Sequence, residues 1–215
     1  MDKTVNDNGN DRQDTNNKNA EKDNDEIVLP KLKYGYRKTP MSWSEMQTFI
    51  CVEQDLAKLA RSEEQQRQYM IAMRDINSEY KTMYDFILHD KFGFDRKQDN
   101  EKKWQACLPS QPQTTPRTVL VPNDFPYSMA PGIHHYILWK WGGDVTPEEI
   151  DQAKLDFKND NYSDHTKVID VLHWINPPHL KSLPDIDHVH ILTLREPAQL
   201  QEEETARTTS SLDGI

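Results

Sequence analysis

Hydrophobic residues in the first half of the chain recur with the spacing of amphipathic helices. Ser42 and Glu45 form a capping box, in which each side chain satisfies a free backbone amide at a helix start, and an apolar stripe follows them. Ser62 and Gln65 form a second box ahead of a longer stripe. That stripe advances by alternate steps of four and three residues along one helix face: Tyr69, Met73, Ile76, Tyr80, Met83 and Ile87. The pattern predicts a pair of helices within about residues 40–94, the second of them continuous through this stripe.

The longer stripe admits more than one interpretation. Its methionine and tyrosine side chains could line a ligand groove or a dimer seam. Amphipathic helices of soluble domains more often bury their apolar face against a sheet. We therefore favour a helix face that packs on a sheet.

The hydrophobic period changes to that of strands after a polar, proline-containing linker at residues 95–117. Alternating or continuous apolar runs predict strands at 118–121, 134–141 and 188–194. Between them, Thr146 followed by Pro147 predicts the start of a third helix, because threonine caps helices and proline suits the first helical position.

The segment at residues 168–175 fits a helix and a strand. Pro177 biases the preceding residue to extended geometry, so we favour a strand for the second half, and residues 168–172 stay open. The order of elements predicts an α+β domain, in which an N-terminal helical pair packs on a small, mainly antiparallel sheet with one further helix.

Composition divides the 215-residue chain into a domain and two tails. Residues 1–26 contain seven asparagines and eight acidic residues against four basic ones, and residues 196–215 contain five acidic residues against one basic residue. Such segments cannot bury enough apolar surface to offset chain entropy, which predicts two disordered acidic tails. They flank a single domain at 27–195, with a helical part at about 40–94 and a strand-rich part at about 118–195.

Charge and cysteine content narrow the classes of partner and location. Each tail carries a net charge of −4, so the predicted domain keeps only −2 of the total of −10. A nearly neutral domain lacks the basic surface of proteins that bind nucleic acid or anionic membranes. No apolar stretch has the length of a signal peptide or a membrane span, and two isolated cysteines make no disulfide framework. We expect a reducing cytosolic or nuclear location. The acidic tails are interpreted as solubilising segments, with binding of a protein partner as the alternative.

Two proline-bracketed segments, at residues 121–127 and 174–184, carry the candidate binding chemistry. Each places an asparagine beside prolines at the end of an apolar run, and proline restricts the shape of such a loop. Asn123, Asp124 and Asn176 could bind the hydroxyl or amide groups of a sugar, while Tyr127 and Trp139 offer ring faces for stacking. An Asx-turn, in which the side chain only bonds its own backbone, is an equally weighted alternative for the asparagines.

Histidines cluster after these segments. His188 and His190 are two residues apart, so on a strand both project from one face. They could form two ligands of a zinc or iron site, with His134, Asp185 or Asp187 as a third. We favour the alternative of partly buried histidines that bond to backbone groups, and predict no metal. The cofactor, if there is one, stays unknown.

Three motifs together resemble the fungal N-acetylglucosamine-induced protein 1 family over about residues 40–195. They are Pro122-Asn-Asp-Phe-Pro-Tyr127, Pro131-Gly-Ile-x-His-Tyr-x-Leu-Trp139, and Trp174-x-Asn-Pro-Pro-His-Leu-Lys-Ser-x-Pro184 with His188-Val-His190. The resemblance implies a cytoplasmic protein that acts in the amino-sugar response and in the supply of chitin precursor. It transfers no catalytic residue.

Two classes of function therefore stay open. The first is an enzyme or sensor for an amino sugar or its nucleotide-activated form, and it requires the two asparagine loops and the histidines to converge on one pocket. The second is a non-catalytic regulator that binds another protein, and it predicts a filled sheet face and an exposed apolar patch. The candidate ligand-binding residues are Asn123, Asp124, Tyr127, His134, Trp139, Asn176, His188 and His190.

Overall fold

A computed structural model describes residues 27–109, 116–159, 167–181, 183 and 185–196. The predicted tails at 1–26 and 196–215 lie outside these ranges, apart from Glu196. No helix in the described ranges is long and apolar enough to cross a membrane.

Four α-helices and six strands make up the described fold, and the predicted α+β class is confirmed. The helices are α1 (Trp43–Gln47, continued by a π-helical turn at Thr48–Val52), α2 (Glu63–Glu79), α3 (Met83–Asp90) and α4 (Pro147–Lys158). The strands are β1 (Arg96–Gln98), β2 (Trp104–Ala106), β3 (Arg117–Pro122), β4 (Ile133–Trp141), β5 (Val168–Trp174) and β6 (Asp187–Arg195). The ambiguous segment at 168–172 is a strand.

The predicted helix starts are present with their caps. Ser42, Ser62 and Thr146 each accept a hydrogen bond from the third helical amide, and each box is closed by the Glu or Gln at that position. Local sequence alone specifies these starts, because both partners of each box lie within one helical turn.

The prediction of one continuous helix through Tyr80 is wrong. Helix α2 ends at Glu79, Tyr80 is extended, and Thr82 caps the new helix α3. The amide of Lys81 donates to the carbonyl of Trp104 at 2.9 Å, so the chain leaves the helix to pair with β2. A tertiary contact thus overrides a helical pattern that is unbroken in the sequence.

The interpretation of residues 95–117 as a linker is also wrong for its first part. Strands β1 and β2 form an antiparallel hairpin, with Lys102 in the left-handed conformation at its turn (φ 63°). The buried carboxylate of Asp85 on α3 accepts the amide of Ala106 at 2.9 Å and holds the hairpin against that helix.

The four-stranded sheet has the order β3-β4-β6-β5, and every neighbouring pair is antiparallel. Helix α4 covers one face, where Phe157 packs with Tyr136 and Ile191. The other face packs against the N-terminal part, on Met41 and Met46 near α1 and on Ile87 and Leu88 of α3.

Helix α2 departs from the expected role of its stripe. It contains no buried residue, and Tyr69, Met73 and Ile76 are only partly covered. The second part of the predicted stripe, on α3, therefore packs against the sheet. The first part, on α2, faces the space beside the sheet.

Replacement of Asp85 by alanine is expected to lower the free energy of unfolding by about 1–3 kcal/mol, because the amide of Ala106 would lose its buried acceptor. Urea denaturation followed by circular dichroism measures the change. The matched control is Asp75→Ala on the exposed side of α2. Equal losses in the two variants would contradict the assigned role of Asp85.

Candidate ligand-binding cavity

The edge strands β3 and β5 enter the sheet from opposite ends and stop at the same level. Strand β3 ends at Pro122, opposite Tyr136 of β4, and β5 ends at Trp174, opposite His190 of β6. His190 in turn lies opposite Ile137, the neighbour of Tyr136. The two proline-bracketed loops therefore leave the sheet at the middle of its central strands.

These loops border a cavity of about 600 Å³ between the sheet and the helices α2 and α3, here called the central cavity. It is lined by Arg61, Tyr69, Met73, Asn77, Met83, Phe86, Ile87, Lys91, Pro122, Asn123, Asp124, Phe125, Tyr127, Ile137, Trp139, Asn176, Leu180, Leu183, His188 and His190. Helix α2 thus contributes Tyr69 and Met73 to the wall of a groove. The sequence pattern allows a groove for this stripe but favours packing against a sheet.

Seven of the eight sequence candidates line this cavity, and His134 does not. His134 is exposed, and strand alternation places it on the sheet face opposite His135. His135 is the residue that the sequence analysis missed. The same alternation could have identified it, because it lies two and four positions before the inward-facing Ile137 and Trp139.

The buried rings of His135 and His190 form the centre of the site. The Nε2 atom of His135 lies 3.0 Å from Nδ1 of His190. Tyr127 stacks on His135 with 5.5 Å between ring centroids, and Trp174 stacks on His190 at 4.7 Å and an interplanar angle of 5°. These aromatic contacts fix both imidazole planes.

Each asparagine loop reaches one end of this histidine pair. Asn123 Nδ2 lies 3.1 Å from His135 Nδ1, while Asn123 Oδ1 accepts the amide of Phe125 at 3.0 Å. Asn123 therefore closes the Asx-turn that the sequence left as an alternative and also contacts a histidine.

Asn176 occupies the equivalent place at the other end. Its Nδ2 atom lies 3.0 Å from His190 Nε2, and its Oδ1 atom accepts the indole N–H of Trp174 at 3.1 Å. The contacts thus form one continuous series of polar groups, here called the polar chain. Its members, in order, are the Phe125 amide, Asn123, His135, His190, Asn176 and the Trp174 indole.

Burial determines the charge state of the histidines. Desolvation lowers the pKa of His135 to about 3, with a smaller effect from the nearby Arg61 guanidinium. Desolvation and the neighbouring His135 and His188 rings hold the pKa of His190 well below its usual value. Both rings are therefore neutral at neutral pH.

His188 differs from this pair in its hydrogen bonding. Its Nδ1 atom lies 3.1 Å from the carbonyl of Ile186, which accepts only, so Nδ1 carries the proton and Nε2 is the basic nitrogen. Desolvation lowers its pKa, which keeps the ring neutral, and its ring lies 4.7 Å from that of Trp139 at the cavity wall.

Arg61 brings positive charge to the central cavity. Its guanidinium donates to the carbonyl of Phe125 at 2.7 and 3.1 Å and lies over the ring of Tyr69 at 4.3 Å. Burial lowers its pKa, and within the described ranges no carboxylate forms an ion pair with it. A partly buried cation of this kind favours an anionic ligand.

Lys91 is, in contrast, already neutralised. Its ammonium lies 2.7 Å from Asp124 and 2.9 Å from Asp90. Burial opposes its charge, but the hydrogen bonds to Asp124 and Asp90 more than offset this and raise its pKa. Asp124, a sequence candidate for ligand binding, is thus engaged in an ion pair at the cavity rim.

The three histidines considered as metal ligands, His134, His188 and His190, do not lie on one face of the sheet. His134 lies on the sheet face opposite His188 and His190. Asp187 accepts from Lys181 at 2.7 Å and from the amide of Val145 at 2.8 Å. Within the described ranges, no three His, Cys, Asp or Glu side chains are grouped as a metal site.

Comparisons with known proteins place most of this chain in one family. A family model described as a protein of unknown function (DUF3605) matches residues 42–194. The curated proteins contain no match. One solved structure, titled Crystal Structure of HTC1, is similar at 19% sequence identity and a TM-score of 0.46, over 82% of this chain and 94% of that chain.

Replacement of His135 by glutamine is expected to flatten the pH dependence of stability. The unfolded chain binds a proton at His135 below about pH 6.5, and the folded protein does so only near pH 3. Stability from this group is therefore complete above pH 6.5 and falls by up to about 1.4 kcal/mol per pH unit as the pH drops.

Urea denaturation between pH 7.5 and 4 measures this slope. The wild type, measured over the same pH range, supplies the reference slope. An unchanged slope in the His135→Gln variant would show that the folded protein protonates this ring readily.

Proposed function

Because the chain belongs to the DUF3605 family of proteins of unknown function, we propose that it binds or processes a small polar molecule in the central cavity. The ligand we propose is an amino sugar, N-acetylglucosamine, or its nucleotide-activated form. The observation that supports this is the convergence of both asparagine loops and two of the candidate histidines on one cavity. The likeness to the fungal N-acetylglucosamine-induced protein 1 family supplies the ligand class and a role in chitin precursor supply.

The chemistry of the cavity wall suits a sugar. Sugars present hydroxyl and amide groups around a ring whose faces are apolar, so they need hydrogen-bonding side chains beside aromatic rings. Asn123, Asn176 and His190 supply the former, while Trp139 and Phe125 supply the latter. A volume of about 600 Å³ lies within the range of cavities that bind small molecules.

The charge of the cavity favours the phosphorylated or nucleotide-activated form. Arg61 has no carboxylate partner within the described ranges, whereas Lys91 is matched by Asp90 and Asp124. A phosphate or diphosphate would supply the missing negative charge, and arginine binds such groups with several directed hydrogen bonds.

A non-catalytic regulator that binds another protein is the alternative. That function predicts a filled sheet face and an exposed apolar patch. Here the sheet face that bears His188 and His190 borders a cavity, which weighs in favour of a small-molecule ligand.

Thermal unfolding tests the proposed function. N-acetylglucosamine, its 6-phosphate and its UDP conjugate are each added at increasing concentration. A specific ligand at about 100 times its Kd should stabilise the protein by about 2.7 kcal/mol, which corresponds to a rise in Tm of about 5–10 °C. If none of the three compounds changes the Tm at millimolar concentration, the proposed ligand class is wrong.

The Trp139→Leu variant locates the binding site. Leucine keeps an apolar side chain but removes the ring face, so the affinity for the sugar should fall about tenfold. His134→Gln, outside the cavity, should bind as the wild type does. Isothermal titration calorimetry measures both, and equal affinities in the two variants would place the ligand elsewhere.

A further inference from the structure

The polar chain through the site starts and ends at groups that can only donate hydrogen bonds. At one end the backbone N–H of Phe125 donates to Oδ1 of Asn123. At the other end the indole N–H of Trp174 donates to Oδ1 of Asn176. Neither donor has a lone pair that accepts, so both asparagines must turn their NH2 groups inward, toward the histidine pair.

Hydrogen-bond direction, followed inward from Asn123, then assigns the histidine protons. A neutral imidazole has one donor and one acceptor nitrogen. Asn123 Nδ2 donates to Nδ1 of His135, so the proton of His135 is on Nε2 and is donated to Nδ1 of His190. The proton of His190 is therefore on Nε2, which lies 3.0 Å from the NH2 group of Asn176. Two donors face each other at this contact.

No rearrangement of protons removes this surplus donor. A turned amide or the other tautomer moves the donor–donor contact to another link, because both ends of the chain remain donors. An additional proton on either histidine adds one more donor, which agrees with a pair that stays neutral. An acceptor atom from outside the chain is needed to satisfy this contact.

Of the two histidines, only His190 lines the central cavity. His190 and Asn176 both line the cavity, whereas His135 lies between the rings of Tyr127 and Trp174. Asn123 also lines the cavity, but its partner His135 does not. An acceptor atom from a ligand can therefore reach both donors at the contact of His190 with Asn176, whereas the contacts of His135 are enclosed. Arg61, in the wall of the same cavity, carries a positive charge without a carboxylate partner within the described ranges.

We infer that Nε2–H of His190 and Nδ2–H of Asn176 together bind an anionic oxygen of the ligand, from a phosphate or a carboxylate group, with Arg61 supplying the balancing charge. This assignment rests on the proposed function in one respect, that the central cavity binds a ligand. It adds that the ligand is anchored by an anionic group, so that a neutral sugar lacks the main contact.

The first test needs no ligand. Long-range ¹H–¹⁵N NMR spectra of the ¹⁵N-histidine-labelled protein distinguish the tautomers, and we expect Nε2–H for both His135 and His190 at pH 7. A His190 ring protonated on Nδ1 would accept from Asn176 through Nε2, and this would overturn the inference whether or not any sugar binds.

The second test compares two aspartate variants. Asn176→Asp replaces the inward NH2 by an acceptor that satisfies both Trp174 and His190, so the unliganded protein should unfold at the same or a higher temperature. The same change removes a donor and repels an anion, so affinity should fall at least tenfold. Asn77→Asp adds an equal charge to the wall of the same cavity away from the histidine chain and should reduce affinity less than threefold.

The probes are inorganic phosphate, pyrophosphate, acetate, N-acetylglucosamine and N-acetylglucosamine 6-phosphate, measured by calorimetry. Tighter binding of phosphates than of acetate identifies a phosphate group, and the reverse order identifies a carboxylate. If neutral N-acetylglucosamine binds as tightly as its 6-phosphate, the anionic anchor is wrong although the proposed function holds. If phosphate binds and loses affinity in the Asn176→Asp variant but no sugar compound binds, the anchor holds and the proposed sugar is wrong.

Discussion

The hydrogen bond between Nε2 of His135 and Nδ1 of His190 is the interaction on which the site depends. It joins the two central strands across the face of the sheet, and each ring is fixed by a stacked aromatic residue, Tyr127 on one side and Trp174 on the other. Because both rings are buried, each nitrogen needs a hydrogen-bond partner. The two asparagine loops place an amide group beside the outer nitrogen of each ring, and so their positions are coupled through the histidine pair.

The prolines of the two loops hold the asparagine side chains in position. Pro122 restricts the backbone before Asn123 and Pro177 restricts it after Asn176, so the amide groups are held in place with little loss of chain entropy. The staggered ends of β3 and β5 bring these amides to the same level of the sheet. A rigid loop at a strand end can then serve both as a support for the core and as one wall of the cavity.

Sequence patterns predicted the parts of the fold that local interactions specify. The capping boxes at Ser42, Ser62 and Thr146, and the common face of His188 and His190, involve residues within one helical turn or two strand positions of each other. The break at Tyr80 and the β1–β2 hairpin could not be predicted in this way. The break results from pairing of the chain at Tyr80 and Lys81 with Trp104 of the later strand β2, although Thr82 supplies a local helix cap. The hairpin strands have three residues each and are mostly exposed or partly buried, so they carry little hydrophobic pattern.

The sequence by itself determined the helix starts at Ser42, Ser62 and Thr146, the strands β3, β4 and β6 to within one or two residues, the α+β class and most of the candidate ligand-binding residues. Only the tertiary structure decided which of them act together: it placed His134 outside the site, brought in His135, and set Asn123 and Asn176 at the two ends of one chain. The physical reason is that strand alternation assigns residues to a face, whereas sheet order and register decide which faces and loop ends meet. The contacts between these loop ends and the two histidines determine the direction of the hydrogen bonds. They therefore also determine which donor groups face the cavity.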